Sequence, residues 1–378
     1  MVIRKRITLL YNYNESWIAG SYYIQNIIKA LNVLDEEKKP FLSVLHPEGC
    51  PLDELVSIQY PYITFVSYPS LPLSAKIINR VSNFIIKRPV WKNKLSNEKI
   101  THIYPFELHF RKTNINQPYM WIPDFQERYL PTYFHPREVS RRKRLQSEIV
   151  RNRYPVVFSS YNAQSDFDNF YPGNLNPKTV LHFASIVGRD YQLLNILDLK
   201  QKFGIDKPYF IVTNQFWKHK NHFTVIKAFK LLLDKHFDYQ LVLTGKISDY
   251  RNPDYIEEIA QYLKQPDLVG RVITTGFIKR NEQLKLMEAA MAIIQPSLFE
   301  GWSTVVEDAK ALNKLILVSD IPIHREQINH NCAFFEPTDE RALQMLMTEV
   351  STMKITSADG ENFTDVRAFA ERFLEIFA

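Results

Sequence analysis

The chain has 378 residues, of which 45% are hydrophobic and 23% charged, an ordinary globular composition with enough length for two domains. Its two cysteines, Cys50 and Cys332, lie too far apart in sequence to indicate a disulfide framework or a metal site, so a reducing cytoplasm is expected. The net charge is +6, no run approaches the ~20 apolar residues of a membrane span, and the first apolar run is too short for a signal peptide.

The first half of the sequence alternates apolar strands with helices. Helical periodicity over 75–86 places Ile77, Ile78 and Val81 together; we expect this helix to pack in the core, with contact to a membrane surface as the alternative. Between the first strand and the first helix, residues 17–20 (Trp-Ile-Ala-Gly) predict a small-residue loop in which Gly20 lets the backbone approach a ligand. No G-x-G-x-x-G follows, so a dinucleotide redox cofactor is not indicated. Strands are predicted at 7–10, 41–45, 63–66, 100–104, 119–122 and 156–158, and helices at 22–31, 75–86, 137–152 and 159–170.

Polar residues follow the strand predicted at 119–122. Pro123 ends this strand, so Asp124 and Gln126 would stand at its carboxyl edge, where ligands bind in open α/β sheets. The alternative for this segment is an Asx-type turn with no ligand.

Much of the positive charge falls on the helix predicted at 137–152 and the residues just after it. A solvated helix face and a face that meets anionic lipid headgroups or an anionic acceptor both fit this cluster. Nucleic acid is not indicated, because no binding motif accompanies the charge. The basic residues are Arg137, Arg141, Arg142, Lys143, Arg144, Arg151 and Arg153.

The second half alternates strands with helices of about ten residues, which indicates a parallel sheet covered by helices on both faces. The turn-rich residues 171–177 indicate the approach to a crossing between domains. We therefore predict an α/β protein with domains at 1–175 and 176–360. Strands are predicted at 209–213, 239–243, 272–274, 292–294, 315–318 and 333–335, and helices at 223–233, 255–263, 282–290, 305–312, 341–349 and 363–377.

Residues 295–309 combine a strand end, a loop and a helix start. Thr304 stands three residues before Glu307, which predicts a capping box and a helix that begins at Thr304. The N–H groups of residues 302–305 would then form an anion site at the positive end of the helix dipole. Glu300 and Asp308 nearby suit hydroxyl groups, so a ligand that carries both phosphate and hydroxyls, such as a nucleotide sugar, fits.

These residues resemble the E-x7-E donor site of family 4 retaining glycosyltransferases of GT-B fold (group 1 glycosyltransferases). Residues 216–221 (Phe-Trp-Lys-His-Lys-Asn) resemble the family's basic donor-phosphate loop, and residues 121–126 are similar to a segment of its polysaccharide-building branch. The resemblance covers the second half well and the first half thinly. It implies two Rossmann-like, doubly wound domains facing across a cleft, with the C-terminal helix, 361–378, packing back on the first domain.

The resemblance also implies roles for individual residues. Glu300 would bind hydroxyls of the donor sugar, and Lys220, with Lys218, would neutralise the leaving diphosphate. Asp124 or Gln126 would meet the sugar or the acceptor. The remaining contacts to the donor would come from Gly20, Gln215, Gly301, Trp302, Ser303, Thr304 and Asp308.

Three positions depart from the family pattern. Asp308 replaces a glutamate, which leaves open whether Glu307 or Asp308 holds the ribose; Gln215 replaces an arginine, and Ser303 replaces a glycine. Lys218 could restore the missing charge, although lysine lacks the planar fork of arginine.

The resulting expectation is a retaining, metal-independent hexosyltransferase without a cofactor, acting on a glycan or lipid-linked acceptor in cell-surface polysaccharide or lipopolysaccharide synthesis. It would work in the cytoplasm, with the inner face of the membrane as an alternative and the basic helix 137–153 as the contact. The alternatives for function are a non-catalytic nucleotide-sugar or glycan binding protein of the same fold, and a sugar-nucleotide epimerase or phosphorylase.

Overall fold

The computed structural model describes residues 4–14, 18–69, 72–85, 90, 102–108, 117–355 and 366–378. Predictions that fell on residues 17, 86, 100–101 and 361–365 lie outside these ranges. The strands are β1 Arg6–Leu10, β2 Phe41–Pro47, β3 Ile63–Tyr68, β4 His102–Tyr104, β5 Gln117–Pro118, β6 Met120–Ile122, β7 Val156–Phe158, β8 Lys178–Val180, β9 Tyr209–Val212, β10 Gln240–Thr244, β11 Val272–Gly276, β12 Ala292–Gln295, β13 Ile316–Ser319 and β14 Cys332–Phe335.

Helices connect most of these strands, as the alternating sequence pattern predicts. They are α1 Ile18–Asn32, α2 Asp53–Val56, α3 Leu73–Ile85, α4 Gln126–Tyr129, α5 Pro136–Arg151, α6 Tyr161–Phe170, α7 Ile196–Phe203, α8 His222–Leu233, α9 Pro253–Tyr262, α10 Arg280–Ala289, α11 Thr304–Ala311, α12 Pro322–Gln327, α13 Glu340–Glu349 and α14 Val366–Glu375.

The chain forms two compact units. The first takes the described residues of Met1–Pro123, Arg141–Phe183 and Asp365–Ala378, and the second takes those of Asp124–Ser140 and Ala184–Thr364. This division differs from a single crossing near residue 175, because β8 pairs with β7 and so keeps residues 178–180 in the first unit.

The first unit contains parallel strands in the orders β3-β2-β1-β4-β5 and β6-β7-β8. Helix α14 packs on α1, and its buried Phe373 lies edge-on to the ring of Tyr104 with centroids 5.7 Å apart. An exposed ion pair of 2.8 Å between Lys38 and Glu371 joins the same helix to the unit. The C-terminal helix is therefore part of the first unit.

Two expectations for the first unit are wrong. Gly20 lies within the first turn of α1 and not in a loop, because the helix already begins at Ile18. Helix α3 is not a core helix: its apolar residues Ile77, Ile78 and Val81 are exposed, and Ala75 faces the interior instead.

The second unit has a parallel sheet in the order β11-β10-β9-β12-β13-β14. Counted from β9, this is the strand order 3-2-1-4-5-6 of the doubly wound dinucleotide-binding fold. The order reverses between β9 and β12, which pair directly. Ligands in such sheets bind beyond the carboxyl ends of the strands at this switch point.

Strand residues alternate between two cores in the second unit. Phe210 and Val212 pack on one face of the sheet with α8, α9 and α13, whereas Tyr209 and Ile211 pack on the other with α7, α10 and α11. Both faces are covered, so the strands are continuously apolar, as the sequence pattern predicts for a buried parallel sheet.

Candidate functional site

Two loops of the second unit meet at the switch point of its sheet. Residues 213–221, here the lysine loop, follow β9, and residues 296–303, here the glutamate loop, follow β12. Since β9 and β12 are paired and parallel, their carboxyl ends lie side by side. Residues far apart in sequence are thereby brought into one site.

Glu300 and Lys220 form an ion pair between the two loops. The Lys220 ammonium donates to Oε1 of Glu300 at 2.5 Å, and the two side chains are 18% and 8% exposed. The same Oε1 accepts from Nε2 of Gln295 at 2.7 Å and from Oγ of Ser297 at 2.6 Å. The three bonds converge on one oxygen and fix the carboxylate, leaving Oε2 as the atom for a ligand.

A second layer holds these groups in place. Buried Gln295 accepts at its Oε1 from Nδ2 of Asn214, at 2.6 Å, so its amide is oriented with Nε2 towards Glu300. The N–H of Leu298 donates to the carbonyl of His219 at 2.8 Å, which ties the glutamate loop to the lysine loop. The pairing of Lys220 with Glu300 therefore rests on a preorganised frame.

Asn221 closes the lysine loop in the left-handed backbone region, at φ 57°. Its buried Nδ2 donates to the carbonyls of Pro296, at 3.1 Å, and Pro337, at 2.7 Å. Asparagine tolerates this conformation better than most residues, and here its side chain also joins the loop to two others. The turn that presents Lys220 is thus fixed at Asn221 to two neighbouring segments.

Helix α11 begins at Thr304, as predicted, but the capping residue is Ser303. Its Oγ accepts from the N–H of Val306 at 3.4 Å, which places Val306 and not Glu307 at the third helical position. The predicted capping box of Thr304 and Glu307 is therefore wrong by one residue. The N–H groups of Thr304 and Val305 precede the first bond within the helix, so they remain suited to an anion.

Gln327 of α12 supplies the partner that the capping box would have provided. Its Oε1 accepts from the N–H of Ser303 at 3.0 Å, and its Nε2 donates to the carbonyl of Ser303 at 2.7 Å and to Glu307 at 2.9 Å. Glu307 also accepts from Lys310 at 3.0 Å and is buried. The Ser303 N–H is consequently used within the protein.

Asp308 is buried and bonded on both carboxylate oxygens. Its Oδ2 accepts from Nη1 of Arg280 at 2.6 Å, while its Oδ1 accepts from Nη2 of Arg280 and from the hydroxyl of Ser185. A bidentate ion pair of this kind fixes the orientation of both side chains. A ribose could reach Asp308 only through the lone-pair capacity left on Oδ2.

The other predicted donor residues lie in this part of the unit with different neighbours. The ammonium of Lys218 lies 5.2 Å from the ring centroid of Tyr133. The backbone N–H of Lys218 donates to Oδ2 of buried Asp249 at 2.9 Å. Oε1 of Gln215 accepts from the indole N–H of Trp217 at 2.8 Å. Gly301 is buried beside the half-buried Trp302 in the glutamate loop.

Asp124 adopts the Asx-type turn that was the alternative interpretation. Its Oδ1 accepts from the N–H of Gln126 at 3.0 Å, and Gln126 begins the short helix α4. Gly20 belongs to the first unit and Asp124 to the second.

Buried histidines surround the site. Burial lowers the pKa of His324 to about 4 and that of His222 to about 3, so both rings are neutral near pH 7. Nδ1–H of His324 donates to the carbonyl of Ser319 at 2.8 Å, and the Ser319 hydroxyl donates to the carbonyl of Ser297 at 2.6 Å. The ring of His222 stacks on that of Phe216, with the ring centroids 4.1 Å apart.

Several residues that shape the site were not predicted from sequence patterns. Gln295, Gln327 and Arg280 act through side-chain bonds to residues that are 5, 24 and 28 positions away. Of these three residues, only Gln295 has a sequence pattern that indicates a place in the site. It is a polar residue at the end of an apolar strand, and ligands bind at that edge of the sheet.

The part of the chain that holds this site resembles a known protein family. Residues 196–362 match the family model "Glycosyl transferases group 1". The matched segment contains both loops and the Lys220–Glu300 pair. The chain also resembles the O-antigen chain mannosyltransferase RfbU of Salmonella typhimurium strain LT2, with 27% identity over 164 residues, 43% of this chain. The alignment spans 44% of that relative, less than half of its length.

Solved structures resemble the whole chain. A glycosyltransferase from Rickettsia africae has a TM-score of 0.64 at 16% identity, covering 99% of this chain and 94% of its own. Anabaena Alr3699/HepE in complex with UDP has a TM-score of 0.64 at 15% identity, covering 99% of both chains. These likenesses confirm the predicted fold class, α/β with two Rossmann-like domains as in GT-B glycosyltransferases.

Within the described ranges no group of three or more His, Cys, Asp or Glu side chains is placed to hold a metal ion. None of the helices in the same ranges combines the length and apolarity that crossing a bilayer requires.

Proposed function

We propose that the chain is a retaining, hexosyltransferase-type glycosyltransferase that moves a sugar from a nucleotide-sugar donor to a glycan or lipid-linked acceptor. The Lys220–Glu300 pair at the switch point of the second unit carries this proposal. The family match over 196–362 and the O-antigen mannosyltransferase relative support a place in cell-surface polysaccharide or lipopolysaccharide synthesis.

The proposed chemistry follows from where charge develops. Breaking the bond to the donor sugar leaves a diphosphate anion, and preorganised cations and N–H groups stabilise such an anion most effectively. The ammonium of Lys220 has three N–H donors, one of which is directed to Glu300, so the others can bind phosphate oxygens. The free N–H groups of Thr304 and Val305 would bind the same diphosphate.

Glu300 would hold the sugar. Because the Lys220, Gln295 and Ser297 bonds all fall on Oε1, we assign Oε2 to a hydroxyl of the donor. A carboxylate fixed in this way orients the sugar without a change of rotamer when the ligand binds.

The ribose is assigned to Asp308 through its Oδ2. The pair with Arg280 would then position the acid, and Arg280 would serve as a positioning residue for the nucleotide. Glu307 is the less suitable acid, because it is buried between Lys310 and Gln327.

Lysine and the helix dipole would handle the leaving diphosphate without a metal ion or cofactor, and Asp124 or Gln126 would contact the sugar or the acceptor. We place the protein in the cytoplasm, with the basic segment 137–153 contacting the inner face of the membrane.

The test is release of nucleoside diphosphate from a panel of nucleotide sugars, with a lipid and glycan extract as acceptor and a chelator as one condition. Glu300→Gln and Lys220→Met should each lower the rate by about 100-fold, the typical loss when one electrostatic group is removed. Lys202→Met, which breaks the pair with Glu282 elsewhere in the second unit, is the matched control and should keep full activity.

The outcomes separate the proposed function from its alternatives. Donor binding by the unaltered protein without turnover would identify a binding protein, and phosphate-dependent formation of sugar phosphate would identify a phosphorylase. Equal rates in all variants would exclude this site.

A further inference from the structure

A neighbouring loop of the second unit supports the lysine loop. Residues 245–252, here the β10 loop, run from the end of β10 to the start of α9, and β10 pairs in parallel with β9. The N–H of Phe216 donates to the carbonyl of Lys246 at 3.2 Å, and the backbone N–H of Lys218 donates to Oδ2 of Asp249 at 2.9 Å. The β10 loop therefore contacts the lysine loop at two successive points.

The backbones of the two loops approach each other closely at Gly245. Its φ of 124° lies in the region that favours glycine, and a Cβ atom there would overlap the carbonyl oxygen of Asn214. The carboxylate of buried Asp249 fixes the rest of the β10 loop, since its Oδ1 accepts from the N–H groups of Arg251 at 2.9 Å and Asn252 at 3.0 Å. Arg251 is thus held at a defined place beside the lysine loop.

Arg251 lies among aromatic rings from three parts of the second unit. Its guanidinium carbon is 4.3 Å from the ring centroid of Phe134, 5.0 Å from that of Trp217 and 5.4 Å from that of Tyr250. Nη2 donates to Oε1 of Glu138 at 3.1 Å, and these two side chains are 14% and 18% exposed. A planar guanidinium suits both stacking on rings and pairing with a carboxylate. Arg251 therefore joins the lysine loop to the β10 loop and to the first turn of α5.

Trp217 belongs to the turn that presents Lys220. The N–H of Lys220 donates to the carbonyl of Trp217 at 2.8 Å, which closes the 3-10 turn Lys218–Lys220. The indole N–H donates to Oε1 of Gln215 at 2.8 Å, and the ring lies edge-on to that of Tyr250 with centroids 5.4 Å apart. A shift of Trp217 would consequently move the backbone that carries Lys220.

We propose that Arg251 is a positioning residue for the donor diphosphate, acting through Trp217 on Lys220. The inference rests on the proposed function, in which the leaving diphosphate binds Lys220. The lysine loop has no arginine of its own, and Arg251 supplies from a neighbouring loop the planar cation that packs on its tryptophan. Arg251 is itself engaged by Glu138 and three aromatic rings, so it fixes the geometry of the loop and does not bind phosphate.

The two ends of the donor should respond differently to the loss of Arg251. The lysine loop is assigned to the phosphates, whereas the ribose is assigned to Asp308, which is fixed by Arg280 and Ser185. A misplaced Lys220 should weaken the bonds to the phosphates and leave the nucleoside contacts intact. A nucleoside diphosphate should therefore lose more affinity than the monophosphate of the same nucleoside.

The experiment compares the dissociation constants of a nucleoside diphosphate and its monophosphate, measured by calorimetric titration of the full chain. The nucleoside is the one, among uridine, guanosine, adenosine and cytidine, whose diphosphate binds the unaltered chain most tightly. The test variants are Arg251→Gln, which removes the stack and the ion pair, and Arg251→Lys, which keeps the charge without the planar surface. Arg271→Gln is the matched control, because Arg271 pairs with Asp238 just before β11, at the amino end of the same sheet. Urea denaturation of each variant sets a titration temperature at which all are folded.

Arg251→Gln should weaken diphosphate binding about tenfold, as expected when a binding cation is displaced by about 1 Å, and monophosphate binding by about threefold or less. Arg251→Lys should stay close to Arg251→Gln, and Arg271→Gln should match the unaltered chain. Equal losses for both ligands, unchanged affinities in Arg251→Gln, or full recovery in Arg251→Lys would each overturn the positioning role while leaving the proposed function in place. Absence of diphosphate binding by the unaltered chain would overturn the proposed function, and this inference with it.

Discussion

At the scale of single residues, the ion pair of Lys220 and Glu300 is held in a nearly buried setting. The two side chains are 18% and 8% exposed, and neutral donors from Gln295 and Ser297 fill the remaining positions on the shared oxygen. Removing one partner of such a pair lowers the stability of the protein more than removing both, because a buried charge left without its partner is costly.

Lys220→Met should lower the free energy of unfolding by about 2–3 kcal/mol, and the double variant with Glu300→Gln should recover most of that loss. Urea denaturation of the single and double variants measures both. Lys202→Met removes one partner of a pair whose lysine is 53% exposed and should cost less than about 1 kcal/mol. Additive losses in the double variant would contradict the buried-pair interpretation.

His222 predicts a pH dependence of stability. Burial lowers the pKa of the folded protein's His222 from 6.5 to about 3, so below pH 6.5 the unfolded chain takes up a proton that the folded chain does not. Stability must then fall as the pH drops from 6.5 towards 3. His324, whose pKa is about 4, adds to the same trend.

Replacing His222 by phenylalanine should keep the stack on Phe216 and flatten the fall of stability between pH 6.5 and 5 by about 1.4 kcal/mol per pH unit. Urea midpoints at several pH values give this slope. The substitution of the exposed His330 by glutamine serves as the control. Parallel slopes for His222→Phe and the unaltered chain would show that His222 does not titrate in this way.

At the scale of elements, the start of α11 depends on a neighbouring helix. Three hydrogen bonds from Gln327 of α12 hold the backbone of Ser303 and the side chain of Glu307. The glutamate loop and the first turn of α11 thus keep their positions through a residue that never contacts the donor in the proposed site.

Gln327→Ala should therefore lower stability by about 2 kcal/mol and weaken nucleoside diphosphate binding several-fold, since buried polar groups lose their partners and the N–H groups shift. Gln344→Ala is the matched control: Gln344 is equally buried, and its amide donates to Thr348 within α13. Calorimetric titration after a stability check measures the affinity. An affinity that stays unchanged in Gln327→Ala would contradict the positioning role.

Local patterns predicted the elements well but not all their ends or faces. Alternating apolar strands and helices in the second half matched the observed sheet, because buried parallel strands need continuous apolar runs. The capping box failed because Ser303, one residue earlier, has a hydroxyl that caps equally well. The sequence could not decide between a buried and an outward apolar face of α3, since an amphipathic pattern is the same in both cases.

Side-chain partners distant in sequence were also beyond prediction. Arg280 lies 28 residues before Asp308, on another helix, and no spacing rule connects them. That Lys220 and Glu300 share one donor site was implied only by the resemblance to a family, and their ion pair was not predicted. The strand order that brings their loops together emerged from the fold.

At the scale of the whole molecule, the two units carry different features. The second unit holds the candidate donor site at the switch point of its sheet, and the first carries helix α3, whose Ile77 and Val81 are exposed.

The most direct test of the account is the shift in melting temperature caused by a panel of nucleoside diphosphates. A ligand that binds only the folded state raises the melting temperature by mass action. We predict a clear rise for the unaltered chain and for Lys202→Met, and its loss in Lys220→Met and in Glu300→Gln with Lys220→Met. An undiminished rise in Lys220→Met would contradict the claim that the lysine loop and the glutamate loop together bind the diphosphate.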